Sequence, residues 1–196
     1  AIATFRQEKL RGAIASDDEA LSLRRSDQFF CAATNLTDAE TGLPRLESAQ
    51  ARLIQVLYLL QTSRMNQGWY VFGNTLQIIS ALGLHRRAGK IRNATSNSSH
   101  VDYIDSQCRK RTLWVAYTID QYLGVVFGRP RHYHDEDIDQ DFPDCVNDED
   151  MTPQGPSTSE ALHDCHIDSL VFHAKYVIPR SFAVSKRYKL NERCVR

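Results

Sequence analysis

The stretch YIDSQCRKRTLWVAYTIDQYLGVVF, Tyr103 to Phe127, runs unbroken until the chain meets Gly128-Arg129-Pro130. At 1.5 Å per residue it predicts one helix about 37 Å long, with Ala116, Ile119, Leu123 and Val126 as its buried stripe. Gly128 and Pro130 stop it, because proline cannot continue a helix and restricts the residue before it. A helix of this length must bury its stripe against other elements, which commits the chain to a helical core.

Two further helices precede it. In ESAQARLIQVLYLLQTSR, Leu53, Leu57 and Leu60 recur at helical spacing, with Ile54 and Val56 widening the stripe, and Ser48 or Glu47 opens the element after Gly42-Leu43-Pro44. In GWYVFGNTLQIISALGLHR, Trp69, Phe72, Leu76 and Ile79 repeat, and Gly83 stands where a left-handed cap is wanted. A short link around Met65 to Gly68 makes these an antiparallel pair. The region Asp27 to Asn35 also reads helical, and a fourth helix resumes near Ser159 and runs to Val177, with Leu162, Cys165, Leu170 and Phe172 as core candidates.

The expected fold is all-α, an irregular multi-helix bundle with an extended acidic strap after the central long helix. Residues 1–150 form the helical domain, 151–160 a flexible linker, and 161–196 a C-terminal helical extension that is itself truncated; the opening AIATFRQEKLRG reads as the middle of a longer protein. No fixed-period repeat points to a solenoid.

Charge narrows the partners. Lys+Arg and Asp+Glu are both 24, so the chain has no net electrostatic footprint for a nucleic-acid backbone. No Lys or Arg lies between His132 and Ala174, whereas Lys175 to Arg196 is basic; both runs read as solvated faces. The most apolar run, Leu53 to Leu60, is far short of the ~20 residues of a membrane span. The five cysteines, at 31, 108, 145, 165 and 194, make no C-x2-C pattern and are expected as reduced thiols.

The usual enzyme signatures are missing: no G-x-S-x-G, phosphate loop, dinucleotide fingerprint or H-E-x-x-H occurs. His132, His134, Asp135, Asp137 and Asp139 alternate as metal ligands would, although a hydrated acidic loop is the stronger reading. Arg86, Arg87, Lys90 and Arg92 lack the interleaved aromatics of a stacking platform and read as a solvated loop. His85 suits a cap at a helix C-terminus. Asp120, among Ile119, Tyr122 and Leu123, needs a partner, for which Arg129 or an arginine of a neighbouring helix is the candidate.

The order of these motifs resembles the middle homology, or regulatory, region of fungal zinc binuclear cluster transcription factors. The matching residues are Leu82, Gly83, His85 and Arg86, then Arg109 and Arg111, Leu113 and Trp114, Ile119 with Asp120 and Tyr122, Gly128, Arg129 and Pro130, Asp135, Asp137 and Asp139, and Pro143. The resemblance covers about Ser22 to Asp150. It implies an all-α control module without catalysis, nuclear, and answering a small-molecule effector or a transcriptional co-regulator. It also implies that DNA is reached through a missing N-terminal reader, because none of the family's C-x2-C-x6-C halves is in this chain. Zinc is expected only in that missing cluster, and no cofactor in this chain. Trp69, Tyr70, Trp114, Tyr117 and Tyr122 are the candidate walls of an effector pocket, with plain core as the other reading. The competing function is a stand-alone helical scaffold that binds a small molecule or another protein.

Overall fold

A computed structural model describes residues 1–10, 18–87, 102–157 and 165–177. Among them are six α-helices: α1 (Ile2–Leu10), α2 (Asp18–Asp38), α3 (Leu46–Gln61), α4 (Met65–Ala81), α5 (Tyr103–Phe127) and α6 (His166–Phe172). One two-stranded antiparallel ladder, β1 (Met151–Thr152) with β2 (Gly155–Pro156), completes the described elements. The fold is all-α. The chain divides into two compact units, Ala1–Leu82 and Gly83–Arg196.

In the first unit, α3 begins where Ser48 Oγ accepts the Arg45 backbone N–H at 3.2 Å, satisfying one of the donors a helix start leaves open. Gln61 ends it, and Thr62–Arg64 turn the chain, with Ser63 at φ 61°. The link thus falls before Met65, and residues 65–68 form the first turn of α4. Gly68 permits that turn to approach α3: a Cβ there would lie 3.3 Å from Leu60 Cδ2. Phe5, Phe30, Tyr58 and Leu59 form a buried cluster across α1, α2 and α3.

The buried face of α3 is rotated from the expected stripe. Ala49, Leu53, Val56 and Leu59 are buried, but Ile54 is 58% and Leu57 37% exposed. The reason is polar. Ser48, Arg52, Gln55 and Tyr58 share the buried face, because α2 and the turn after it satisfy them. Arg52 pairs with Glu40 at 3.0 Å and donates to the Thr37 carbonyl at 2.6 Å. Gln55 donates to Thr37 Oγ1 at 3.1 Å, and the Tyr58 hydroxyl, 2.9 Å from both, bridges Ser26 and Asp27. Arg64 holds Asp27 at 2.6 Å and lies over the Phe30 and Tyr58 rings.

In the second unit, Asp102 caps α5 by accepting the Ile104 N–H at 2.9 Å, and Gly128, at φ 64°, ends it. That left-handed conformation is open to glycine at little cost. Ala116, Ile119 and Leu123 are buried as the periodicity requires, whereas Val126 is 63% exposed. The strap after Gly128 then descends α5 antiparallel. As strap numbers rise from 132 to 144, their helix partners fall from Asp120 through Tyr117 and Trp114 to Gln107. Short 3-10 turns at Asp135–Asp137 and Asp148–Asp150 punctuate it.

Where a linker was expected at 151–160, residues 151–156 form the β1–β2 hairpin, and the Pro153 carbonyl accepts the Tyr103 N–H at 3.1 Å. Residues 158–164, including Leu162, lie outside the described residues. Helix α6 begins at His166 and passes into a π turn, His173–Val177. Val171 and Ala174 are buried there, and Phe172, expected in the core, is 57% exposed.

Candidate functional site

The strap and α5 meet along a line of specific bonds. Asp120 is 5% exposed, and its Oδ2 accepts the backbone N–H groups of His132 at 2.9 Å and Tyr133 at 3.0 Å. The strap backbone thus supplies a partner for this carboxylate, where the sequence pointed to Arg129 or an arginine of a neighbouring helix. Two amides aimed at one carboxylate fix the path of the chain immediately after the Gly-Arg-Pro break. Burial pushes the Asp120 carboxyl above its ordinary range, while the two amides and the nearby His132 and Arg131 pull it back.

One turn earlier, Tyr117 donates to Asp135 Oδ1 at 2.7 Å; burial, then that carboxylate, raise the Tyr117 phenol. Trp114 stacks on Phe142, ring centroids 4.0 Å apart and 19° from parallel, and its indole N–H donates to the Asp141 carbonyl at 2.9 Å. Gln107, 1% exposed, exchanges two bonds with Asp144: its Nε2 donates to the carboxylate at 2.8 Å, and its Oε1 accepts the Asp144 N–H at 2.9 Å. Arg111 bonds the Asp148 carboxylate and the Val146 carbonyl. The strap is read by α5 side chains at nearly every turn.

The loop after α4 holds the strap from a second side. Gln140 donates to the Leu84 and Arg86 carbonyls, both at 3.3 Å. Asp139 accepts the Arg87 N–H at 2.9 Å, and its own N–H bonds the His85 carbonyl at 3.1 Å. Arg87 pairs with Asp141. The His85 ring lies beside Tyr133, centroids 6.0 Å apart, and burial lowers its basicity; its Nδ1 is buried without a hydrogen bond, so the ring is a packing group and the expected helix-capping role is not what the geometry gives it.

The alternating acids do not converge. Asp135 turns to Tyr117, Asp137 accepts the His134 N–H at 2.9 Å, Asp139 faces Arg87, and the His132 ring packs on Tyr133. The His134 contact holds the Asp137 carboxyl below its ordinary range. Among the described residues no three such groups gather as a metal site would require.

A cavity of about 240 Å³ opens where the strap, α5 and the π turn meet, lined by Trp114, Tyr117, Asp135, Ile138, Phe142, Ala174 and Lys175. Lys175 Nζ stands 4.5 Å from the Phe142 ring centroid. Of the aromatics expected to wall a pocket, Trp114 and Tyr117 do so. Tyr122 is 42% exposed and bonds His173 at 3.1 Å, and Tyr70, in the first unit with its neighbour Trp69, is 68% exposed. Phe142, Ile138, Ala174 and Lys175 escaped the sequence reading because no single-element period connects them. Asp144 and Gln107 were missed too, for a glutamine in a helix gives no signal of being buried.

Leu82 caps α4 by donating to the Ile78 carbonyl at 2.9 Å, and Gly83 follows at φ 64°. Arg109 and Arg129 are half-buried, Pro130 is exposed at the turn, and Pro143 is a buried residue of the strap itself. Arg86 lies 3.9 Å from Asp139.

The sequence matches the family model described as the fungal specific transcription factor domain over residues 8–178. The chain belongs to this family. Similar proteins include an uncharacterized transcriptional regulatory protein of Schizosaccharomyces pombe, 32% identical over 76% of this chain and 16% of its own length. Activator of stress genes 1 of Saccharomyces cerevisiae is 28% identical over 71% of the chain and 14% of its own length. Pyrimidine pathway regulatory protein 1 of the same yeast is 26% identical over 66% and 13%. No solved structure matches. The chain spans about one sixth or less of the length of these curated relatives, and it is the regulatory, middle homology region of a fungal transcription factor. In this fungal domain the Asp-x-Tyr, Gly-Arg-Pro and acidic motifs are the two halves of one helix-and-strap junction.

Proposed function

We propose that this domain is the control module of a nuclear, zinc-cluster regulator and that the cavity beside Trp114 receives a small effector. DNA contact and zinc belong to parts of the parent protein outside this chain, and no catalytic step is assigned to it. The observation that carries the reading is the cavity itself. Its walls come from three separate segments, and it combines aromatic and aliphatic surface with one carboxylate, Asp135, and one ammonium, Lys175. An apolar chamber with a few convergent polar groups is the usual form of a small-molecule site. Occupancy would tie the strap to the π turn, so a ligand there has a mechanical route to the rest of the parent.

A variant that fills the chamber tests this. Ala174→Leu, 4% exposed at present, places extra carbon in the cavity. In a transcriptional reporter driven by the full-length parent, it should shift output several-fold while the melting temperature stays within a few degrees. Native output together with a demonstrably filled cavity would sink the effector reading. The second reading, an interaction scaffold, rests on the exposed apolar residues Val126, Phe127 and Phe172, and it would then take precedence.

A further inference from the structure

Two cysteines of the second unit lie on segments that meet at the end of the strap. Asn147 Oδ1 accepts the backbone N–H of His166 at 3.2 Å, which brings the segment just after Cys145 against the residue just after Cys165. Asp168 closes the group: its N–H bonds the Cys165 carbonyl at 3.2 Å, and its carboxylate lies near the Cys145 thiol. Cys145 is exposed and Cys165 half-buried, and both are free thiols. The other described cysteines differ. Cys108 sits on α5, and Cys31 is on α2 in the other unit.

We infer that Cys145 and Cys165 form a reversible disulfide under peroxide, a redox modification site that staples the acidic strap to α6. Cysteine pairs in reducing compartments are characteristically transient and sensing when they oxidise. The groups facing Cys145 are Asp168, Cys165 and Lys175. The Asp168 carboxylate, then burial and Cys165, push the Cys145 thiol up to about 11, against a small opposing pull from Lys175. Cys145 is thereby held as a thiol, which suits it as the resolving partner of Cys165.

The Cys165 thiolate attacks the hydroperoxide, an S–O bond forms and the O–O bond breaks, giving a sulfenic acid and releasing hydroxide or an alkoxide, which takes a proton from solvent. The Cys145 sulfur then attacks the Cys165 sulfur; the S–S bond forms, the S–O bond breaks, and the Cys145 proton leaves with the hydroxyl as water. The two sulfurs lose two electrons and the peroxide gains them. Asp168 lies where that proton departs. The product would fix the π turn carrying Ala174 and Lys175 to the strap, although the chemistry does not depend on any effector entering the cavity.

The sequence supplies a convenient readout. No Lys or Arg lies between His132 and Lys175, so complete trypsin digestion leaves Cys145 and Cys165 in one peptide, apart from every other cysteine. The full 196-residue chain, treated with hydrogen peroxide, alkylated and digested without reduction, should yield this peptide lighter by two hydrogens and unalkylated. Dithiothreitol should restore both alkylation sites. Cys145→Ser and Cys165→Ser should each abolish the product, and circular dichroism checks that both variants remain folded. Oxygen addition at either cysteine without loss of the hydrogen pair, or cross-linking to peptides containing Cys31, Cys108 or Cys194, would overturn the assignment.

Discussion

At the scale of single residues, Asp120 exerts more control than its size suggests, because a single carboxylate oxygen sets where two successive strap amides go. Asp120→Ala leaves both amides without their acceptor, at a cost of about 2–4 kcal/mol. Differential scanning calorimetry should register a fall in melting temperature of about 5–15 °C if the unfolding is two-state. Asp120→Asn keeps an acceptor oxygen and should lose less, and it also isolates a pH effect. Burial raises the folded-state pKa of Asp120 above the ordinary 3.8, so the folded chain binds this proton more tightly than the unfolded chain. The stability that protonation supplies is present below 3.8 and lost as pH rises through the folded-state value. The wild type should therefore lose ground relative to Asp120→Asn across that window. Glu40 has the opposite sign: the hydrogen bonds from Ser48 and then Arg52 hold its carboxyl below 4.5. Its contribution is present above 4.5 and lost as pH falls through the lowered value, so Glu40→Gln should flatten the acid side of the melting profile. Matching slopes for the two variants would contradict the assigned environments.

At the scale of elements, the strap is held by polar side chains of α5 more than by apolar burial, so its retention should be separable from global stability. Gln107→Leu removes both bonds to Asp144 while preserving bulk, and leaves the Asp144 amide unmet. Loss of about 1–3 kcal/mol of local protection, or roughly ten- to hundredfold faster amide exchange, is expected for residues 140–148. Hydrogen exchange read by mass spectrometry checks this, and unchanged exchange there would mean that other contacts carry the strap. The same contrast explains what was legible beforehand. The extent of α5 could be read because its apolar recurrence and its Gly-Arg-Pro stop are local signals, and the descent of an acidic strap could be read from composition. The face of α3 could not, because Arg52, Gln55 and Tyr58 look like surface residues until Glu40, Thr37, Ser26 and Asp27 are known to meet them. The cavity was half legible for the same reason: Trp114 and Tyr117 share one helix, whereas Phe142 and Lys175 reach it from segments without a period.

At the scale of the whole molecule, charge separates control from DNA reading. Cations and acids are equal in number, and the cations nearest the strap are engaged: Arg87 with Asp141, Lys110 with Asp144 at 3.5 Å, and Arg111 with Asp148. Exposed pairs of this kind contribute little stability individually, but an arginine bonded to an aspartate on its own chain is less available to a phosphate. Non-specific affinity for duplex DNA grows with the number of phosphates neutralised and falls steeply with salt. The basic run from Lys175 to Arg196 holds seven cations and one acid, and is the longest stretch that could act otherwise. The isolated chain should bind a fluorescent duplex more weakly than about 10⁻⁴ M at physiological salt, beyond the ordinary non-specific range. Fluorescence anisotropy across a salt series decides the matter. If binding tighter than that appears and vanishes on truncation after Ala174, the basic run is an auxiliary DNA contact, and the separation of control from reading fails for this chain. If it persists after truncation, the charge pairing along the strap is weaker in solution than its geometry indicates.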